Sequence, residues 1–182
     1  MATGTSGGLL EGSNSHAQSV FKHEILRQYM PIFVAMLGSY SDGKRVVVLD
    51  GFAGRGRYPD GTPASAELIL RAMESLRHSR QVSAFFVEKN EKDHQALSAV
   101  VDEYVTRGLL AKALPGVVEE HLDTVVTAAN GIPLFLFLIP AARTSRLRGL
   151  RRFWWVRVAM SGRRLNSCST SALICHAGPP EP

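Results

Sequence analysis

Val46-Val47-Val48-Leu49-Asp50-Gly51-Phe52-Ala53-Gly54-Arg55-Gly56 decides the fold. An unbroken β-branched and aliphatic run stops at a carboxylate and passes directly into a glycine-rich turn. A continuous apolar run of this kind suits a strand buried on both faces, which is the habit of parallel sheets. The glycines that follow allow backbone conformations, and a closeness of approach, that a Cβ forbids. In an open α/β sheet, ligands bind beyond the carboxyl ends of the strands. Asp50, Phe52, Gly54 and Gly56 are therefore candidate binding residues.

Upstream, residues 20–37 read as a helix, with Ile25, Tyr29, Ile32, Phe33, Met36 and Leu37 as its apolar face. Pro31 within it predicts a kink or two shorter helices. Downstream, a turn at Pro59-Asp60-Gly61-Thr62-Pro63 precedes a helix over about 65–76, with Ile69, Ala72, Met73 and Leu76 inward. A strand over 82–87 ends at Glu88. Asn90 caps the next helix, whose stripe is Leu97, Val100, Val101 and Tyr104, and Gly108 ends it. A short strand at 109–114, a helix marked by Val118, Leu122, Val125, Val126 and Ala129, and a buried strand at 134–138 complete the pattern. Strands alternating with helices predict an α/β fold, a partial Rossmann-like parallel sheet with helices on both faces.

The 182 residues are 45% hydrophobic with a mean hydropathy near zero, enough for one buried core. No apolar run approaches the ~18 residues of a membrane span. Residues 1–19 are Gly/Ser-rich, lack the basic-then-apolar order of a signal peptide, and read as a disordered leader of a cytoplasmic protein. The net charge of +5 invites a nucleic-acid partner, but its distribution does not. Residues 139–182 hold eight arginines and one acid, Glu181. The remaining 13 basic and 15 acidic residues give residues 1–138 a charge of −2 and leave +7 in the tail. Cys168, Cys175 and His176 also lie in the tail, and three such groups do not complete a usual zinc tetrad, so no metal is expected.

Glu88, 38 residues beyond Asp50, stands where a second-strand carboxylate accepts both ribose hydroxyls of an adenosine. The loop lacks the third glycine of a dinucleotide fingerprint, and Asp60 is nearest that place. A pyrophosphate disfavours fixed negative charge there. Asp50 and Glu88 suit instead a cationic sulfonium with a ribose, which is S-adenosylmethionine. Arg55 or Arg57 is available to its carboxylate, unless both are merely solvated loop charges. The competing interpretation is a packed α/β core whose glycines only shape a loop.

Lys22-His23-Glu24-Ile25-Leu26 with Tyr29, then Leu49 to Gly56, Gly61-Thr62-Pro63, Phe86-Val87-Glu88 and Leu134 to Leu138 together resemble the three-Cys-motif partner proteins (TcmP). The resemblance spans residues 20–138. It implies a fold similar to class I S-adenosylmethionine-dependent methyltransferases, that cofactor, and a separate three-cysteine-motif protein as partner. It does not imply a particular methyl acceptor.

The resemblance stops after Leu138. In that family the fourth strand runs into Asp-Pro, similar to the D/N-P-P-Y corner of amino-directed DNA methyltransferases, where the acid holds the target amino group. Here Ile139-Pro140-Ala141-Ala142 follows. GAT-CCC-TGC-GGC encodes Asp-Pro-Cys-Gly, and deleting its first G gives Ile-Pro-Ala-Ala. A frameshift near 139 explains the missing acid and the change in composition together, and the other frame past codon 138 is expected to restore both. The expected organisation is thus a leader at 1–19, a methyltransferase-like domain at 20–138, and a basic, out-of-frame or disordered tail at 139–182. No catalytic residue is expected in this form. A non-catalytic partner-binding module is the alternative. So is a nucleic-acid binder acting through the arginines with Phe153, Trp154 and Trp155. Residues 153–160 also read as an ordinary strand of unassignable position. With the second half lost, the far edge of the fourth strand is expected to stand open.

Overall fold

The computed structural model describes residues 8–138 and 155–159, with side chains over 22–138. Among the described residues, five strands form one sheet: β1 (Arg45–Asp50), β2 (Gln81–Glu88), β3 (Leu110–Pro115), β4 (Leu134–Leu138) and β5 (Trp155–Ala159). Their order is β3-β2-β1-β4-β5, with the first four parallel and β5 antiparallel to β4. Four helices of three turns or more accompany them: α1 (Gly8–Tyr40), α2 (Ser65–Leu76), α3 (Glu91–Val105) and α4 (Val118–Ala128).

Connection handedness explains the layering. The chain steps outward from β1 to β2 to β3 through α2 and α3, then returns across the sheet to β4 through α4. Crossovers of constant hand put the outward helices on one face and the return helix on the other. Val46 and Val48 of β1 accordingly join Val82, Ala84, Phe86, Phe135 and Phe137 in a core with α1, α2 and α3. Val47 and Leu49 join Val87, Leu134 and α4 residues Val118 and Val125 in the other. The result is a partial Rossmann-like α/β fold, and its sheet reverses direction of growth between β1 and β4.

One expectation fails at the start of α1. The helix begins at Gly8, well inside the segment read as a leader; over 20–37 it is present as expected, and it runs through Pro31 as one element rather than as two shorter helices. Gly and Ser are poor helix formers, but a packed C-terminal half supplies the costly nucleus, after which each added residue gains a hydrogen bond. Pro31 removes the donor to the Arg27 carbonyl, and Arg27 is exposed, so the lost bond falls on the solvent side of the helix, where it costs least. The buried face also differs. It is Lys22, Leu26, Met30 and Val34, one residue every four, while Tyr29, Ile32 and Met36 are 62%, 57% and 60% exposed.

A third correction concerns the far edge of β4, expected to be open. Trp155–Ala159 covers it, from Leu134↔Ala159 to Leu138↔Trp155. The rest of the tail, including the candidate zinc ligands and Ile139, lies outside the described residues. Among the described residues, no helix is long and apolar enough to cross a membrane.

Candidate functional site

The carboxyl ends of β1 and β2 are tied together by the glycine loop. Gly51 N–H donates to the Phe137 carbonyl at 3.0 Å, and Ala53 N–H to the Val87 carbonyl at 3.0 Å. The loop therefore leaves β1 across β4 and then leans onto β2. Gly54 adopts φ 65°, a left-handed conformation that favours glycine, and a Cβ there would meet nothing within 4 Å. Its N–H donates to Glu88 Oε2 at 2.9 Å, and Asn90 N–H donates to Oε1 at 2.7 Å. Asn90 in turn caps α3 by accepting from Asp93 N–H at 3.1 Å. Glu88 is half-buried and joins the loop to the start of α3.

Asp50 is fully buried. Strand alternation is the cause, because residues 46, 48 and 50 share the face that packs on α1. Its Oδ1 accepts from Lys22 Nζ at 3.3 Å and from Phe52 N–H at 3.1 Å. Its Oδ2 is buried with no partner among the described residues. Lys22 Nζ also donates to the Phe52 carbonyl at 2.7 Å and stands 5.2 Å from the centroid of Phe137. Beside it, burial, followed by the nearby charges of Lys22 and Arg27, holds the His23 imidazole below its ordinary range. Phe52 is partly buried against the α4-side core.

Two candidate roles are corrected. Gly56 does not line an approach for a ligand: it is buried, and a Cβ would press on Leu97 and Val100 at 3.3 Å, so its smallness serves the packing of α3. Arg57 is not available to a ligand carboxylate. Its guanidinium binds Glu67 at 2.7 and 3.0 Å and Glu103 at 3.2 and 2.9 Å. Those bonds raise its pKa further above the ordinary guanidinium value. Among the described residues, Arg55 makes only an exposed 3.5 Å ion pair with Asp93. Surface pairs of that kind contribute little, so Arg55 is free to exchange partners.

Sequence reasoning missed Lys22 and Glu67. Glu67 lies in the first turn of α2, the helix that follows the loop, and is buried there. A fixed carboxylate at that helix start opposes a pyrophosphate. Asp60 does not fill this role, because it is exposed and only accepts from Thr62 N–H at 2.9 Å within its turn. A cavity of about 480 Å³ opens at the opposite ends of the strands, lined by Lys44, Arg77, His78 and Arg80 among others. Arg77 and Arg80 directly follow the C-terminus of α2, where a cation offsets the helix dipole.

No family model, curated protein or solved structure matches the chain. Asp50, Phe52, Gly54 and Glu88 converge at the point where the sheet reverses its growth, and Gly56 supports them from behind. Among the described residues, no group of three or more His, Cys, Asp or Glu side chains forms a metal site.

Proposed function

We propose that the chain is an S-adenosylmethionine-binding protein of methyltransferase-like architecture, similar to the three-Cys-motif partner proteins, and that it is catalytically incomplete in this form. The observation that carries the reading is the Gly54 N–H to Glu88 Oε2 bond. It puts an open left-handed glycine against a carboxylate at the end of the second strand, beside the reversal point of the sheet. An ionised carboxylate offers about four acceptor positions. Glu88 uses two of them on backbone N–H groups, which leaves capacity for two ribose hydroxyls.

Methyl transfer from a sulfonium needs alignment of acceptor, methyl and sulfur more than covalent assistance. The group that would align an amino acceptor is expected at position 139, where the chain carries Ile139. Cofactor binding without turnover follows, with a separate three-cysteine-motif protein as partner in the cytoplasm.

Isothermal titration of the full chain with S-adenosylmethionine tests this. The wild type is expected to bind, and Glu88→Ala to weaken binding about 10- to 100-fold, the scale of one or two hydrogen bonds to a charged group. No heat from the folded wild type overturns the cofactor reading, and unchanged affinity in Glu88→Ala removes Glu88 from it. The exposed row Tyr29, Ile32, Met36 and Tyr40 favours a second reading, a module that acts only by binding another protein. Partner capture without cofactor binding selects it.

A further inference from the structure

We infer that Lys22 is the positioning residue of the ligand loop, a cation carried in on α1 that fixes both the Asp50 carboxylate and the backbone at Phe52. The inference rests on the cofactor reading above. Lysine is almost never fully buried unless paired, yet Lys22 is 3% exposed and occupies the same stripe as Leu26, Met30 and Val34. Packing alone does not account for it. A buried ion pair is often no more stabilising than well-packed apolar residues of similar volume.

The distances indicate what the charge does. Lys22 Nζ lies closer to the Phe52 carbonyl, at 2.7 Å, than to Asp50 Oδ1, at 3.3 Å. Phe52 N–H meets the same Oδ1 at 3.1 Å. Lys22 thus holds the peptide group after Phe52 directly, and the one before it through the Asp50 carboxylate with which it pairs. Ala53 N–H is fixed by the Val87 carbonyl, and Gly54 N–H by Glu88. Lys22 is the starting point of that chain of contacts, and Gly54 with Glu88 is its end. The third side of the ammonium faces Phe137 of β4, so the cation ties α1, β1 and β4 at the reversal point.

Four full-length variants separate this role from simple charge pairing: Lys22→Met, Lys22→Arg, Asp50→Asn and Lys22→Met with Asp50→Asn. The single Lys22→Met leaves a buried carboxylate without its counter-ion and is expected to melt earlier. The double variant removes both charges and is expected to melt close to Asp50→Asn. It still lacks the donor to the Phe52 carbonyl. Its affinity for S-adenosylmethionine is therefore expected to fall about tenfold or more below that of Asp50→Asn, with partial recovery in Lys22→Arg.

Equal affinity in the folded double variant and Asp50→Asn overturns the inference. Amide hydrogen exchange gives a second readout that needs no ligand. Exchange at Phe52, Ala53 and Gly54 is expected to be about tenfold faster in the double variant than in Asp50→Asn, and unchanged exchange there also overturns it. A wild type that binds no cofactor but shows the exchange difference defeats the cofactor reading while the positioning role stands.

Discussion

Glu67 concentrates more polar contacts than any of the residues the sequence singled out. Its carboxylate accepts from Arg57 at 2.7 and 3.0 Å, Arg71 at 3.0 Å and the Tyr104 hydroxyl at 3.2 Å. It joins the glycine loop to α2 and α3. Burial pushes its pKa up, but the guanidinium bonds of Arg57 and Arg71 outweigh this and hold it below the ordinary 4.5. The unfolded chain then binds the proton more readily than the folded one. The stabilisation is fully present above about pH 4.5 and is lost as pH falls through the folded value. Glu67→Gln is expected to cost about 1–3 kcal/mol near neutral pH, since the partly exposed arginines turn to water. It is also expected to flatten the acid side of a Tm-against-pH profile, and an unchanged acid limb sinks this assignment. An acid just after a turn ordinarily reads as a solvated dipole partner. Its burial depends on α3 bringing Tyr104 from 37 residues downstream, which local pattern does not carry. Asp50 is a different case, because strand alternation from Val46 and Val48 already places it on the α1 face.

Among the elements, the strands and the helices α2 to α4 were legible, whereas for α1 the helix over 20–37 was legible but its start and most of its buried face were not. β4 and α2 begin and end where their patterns place them, and all four expected inward residues of α3 are buried. In the two helices a single apolar face stands against a polar one, and β4 is an uninterrupted apolar run buried between both layers. The helix α1 carries two apolar stripes. Ile25, Tyr29, Ile32, Phe33, Met36 and Leu37 read as the core-facing row because no charge interrupts them, and Ile25 and Phe33 do pack, partly buried, against the core, whereas Tyr29, Ile32 and Met36 are exposed. Leu26, Met30 and Val34 follow Lys22, and a lysine at the head of a stripe argues for solvent. The core-facing stripe is nevertheless the one with the lysine, because Lys22 has a buried carboxylate to meet. Urea denaturation distinguishes the stripes. Met30→Ala is expected to cost about 2–5 kcal/mol as a cavity in the core. Ile32→Ser and Met36→Ser, on the exposed row, are expected to change stability by about 0.5 kcal/mol or less. A large loss from Met36→Ser would show that the exposed row is covered in solution.

At the scale of the molecule, the two faces of the sheet are unequally protected. Three helices pack on one face, and α4 alone among the described helices packs on the other. Phe52, Phe85, Leu136 and Leu138 remain only partly buried on that second face. Parallel sheets require cover on both sides, so among the described residues the α4 face is the less protected one. Among the same residues the outer strand β3 has a free edge with Leu110 half exposed, although Lys112 on the same strand discourages edge pairing. β5 shields β4, which removes the edge anticipated from sequence but adds no helix to the thin face. The sequence pattern could not reveal this, because periodicity stops at Leu138 and Trp155–Ala159 carries no turn signal that ties it back to β4. The full chain, purified alone, is therefore expected to bind a hydrophobic dye such as ANS and to melt broadly, with a calorimetric enthalpy that departs from the van't Hoff value. A single sharp transition with matching enthalpies and no dye binding would mean that the second face is closed, and the energetic case for an incomplete domain would fall with it.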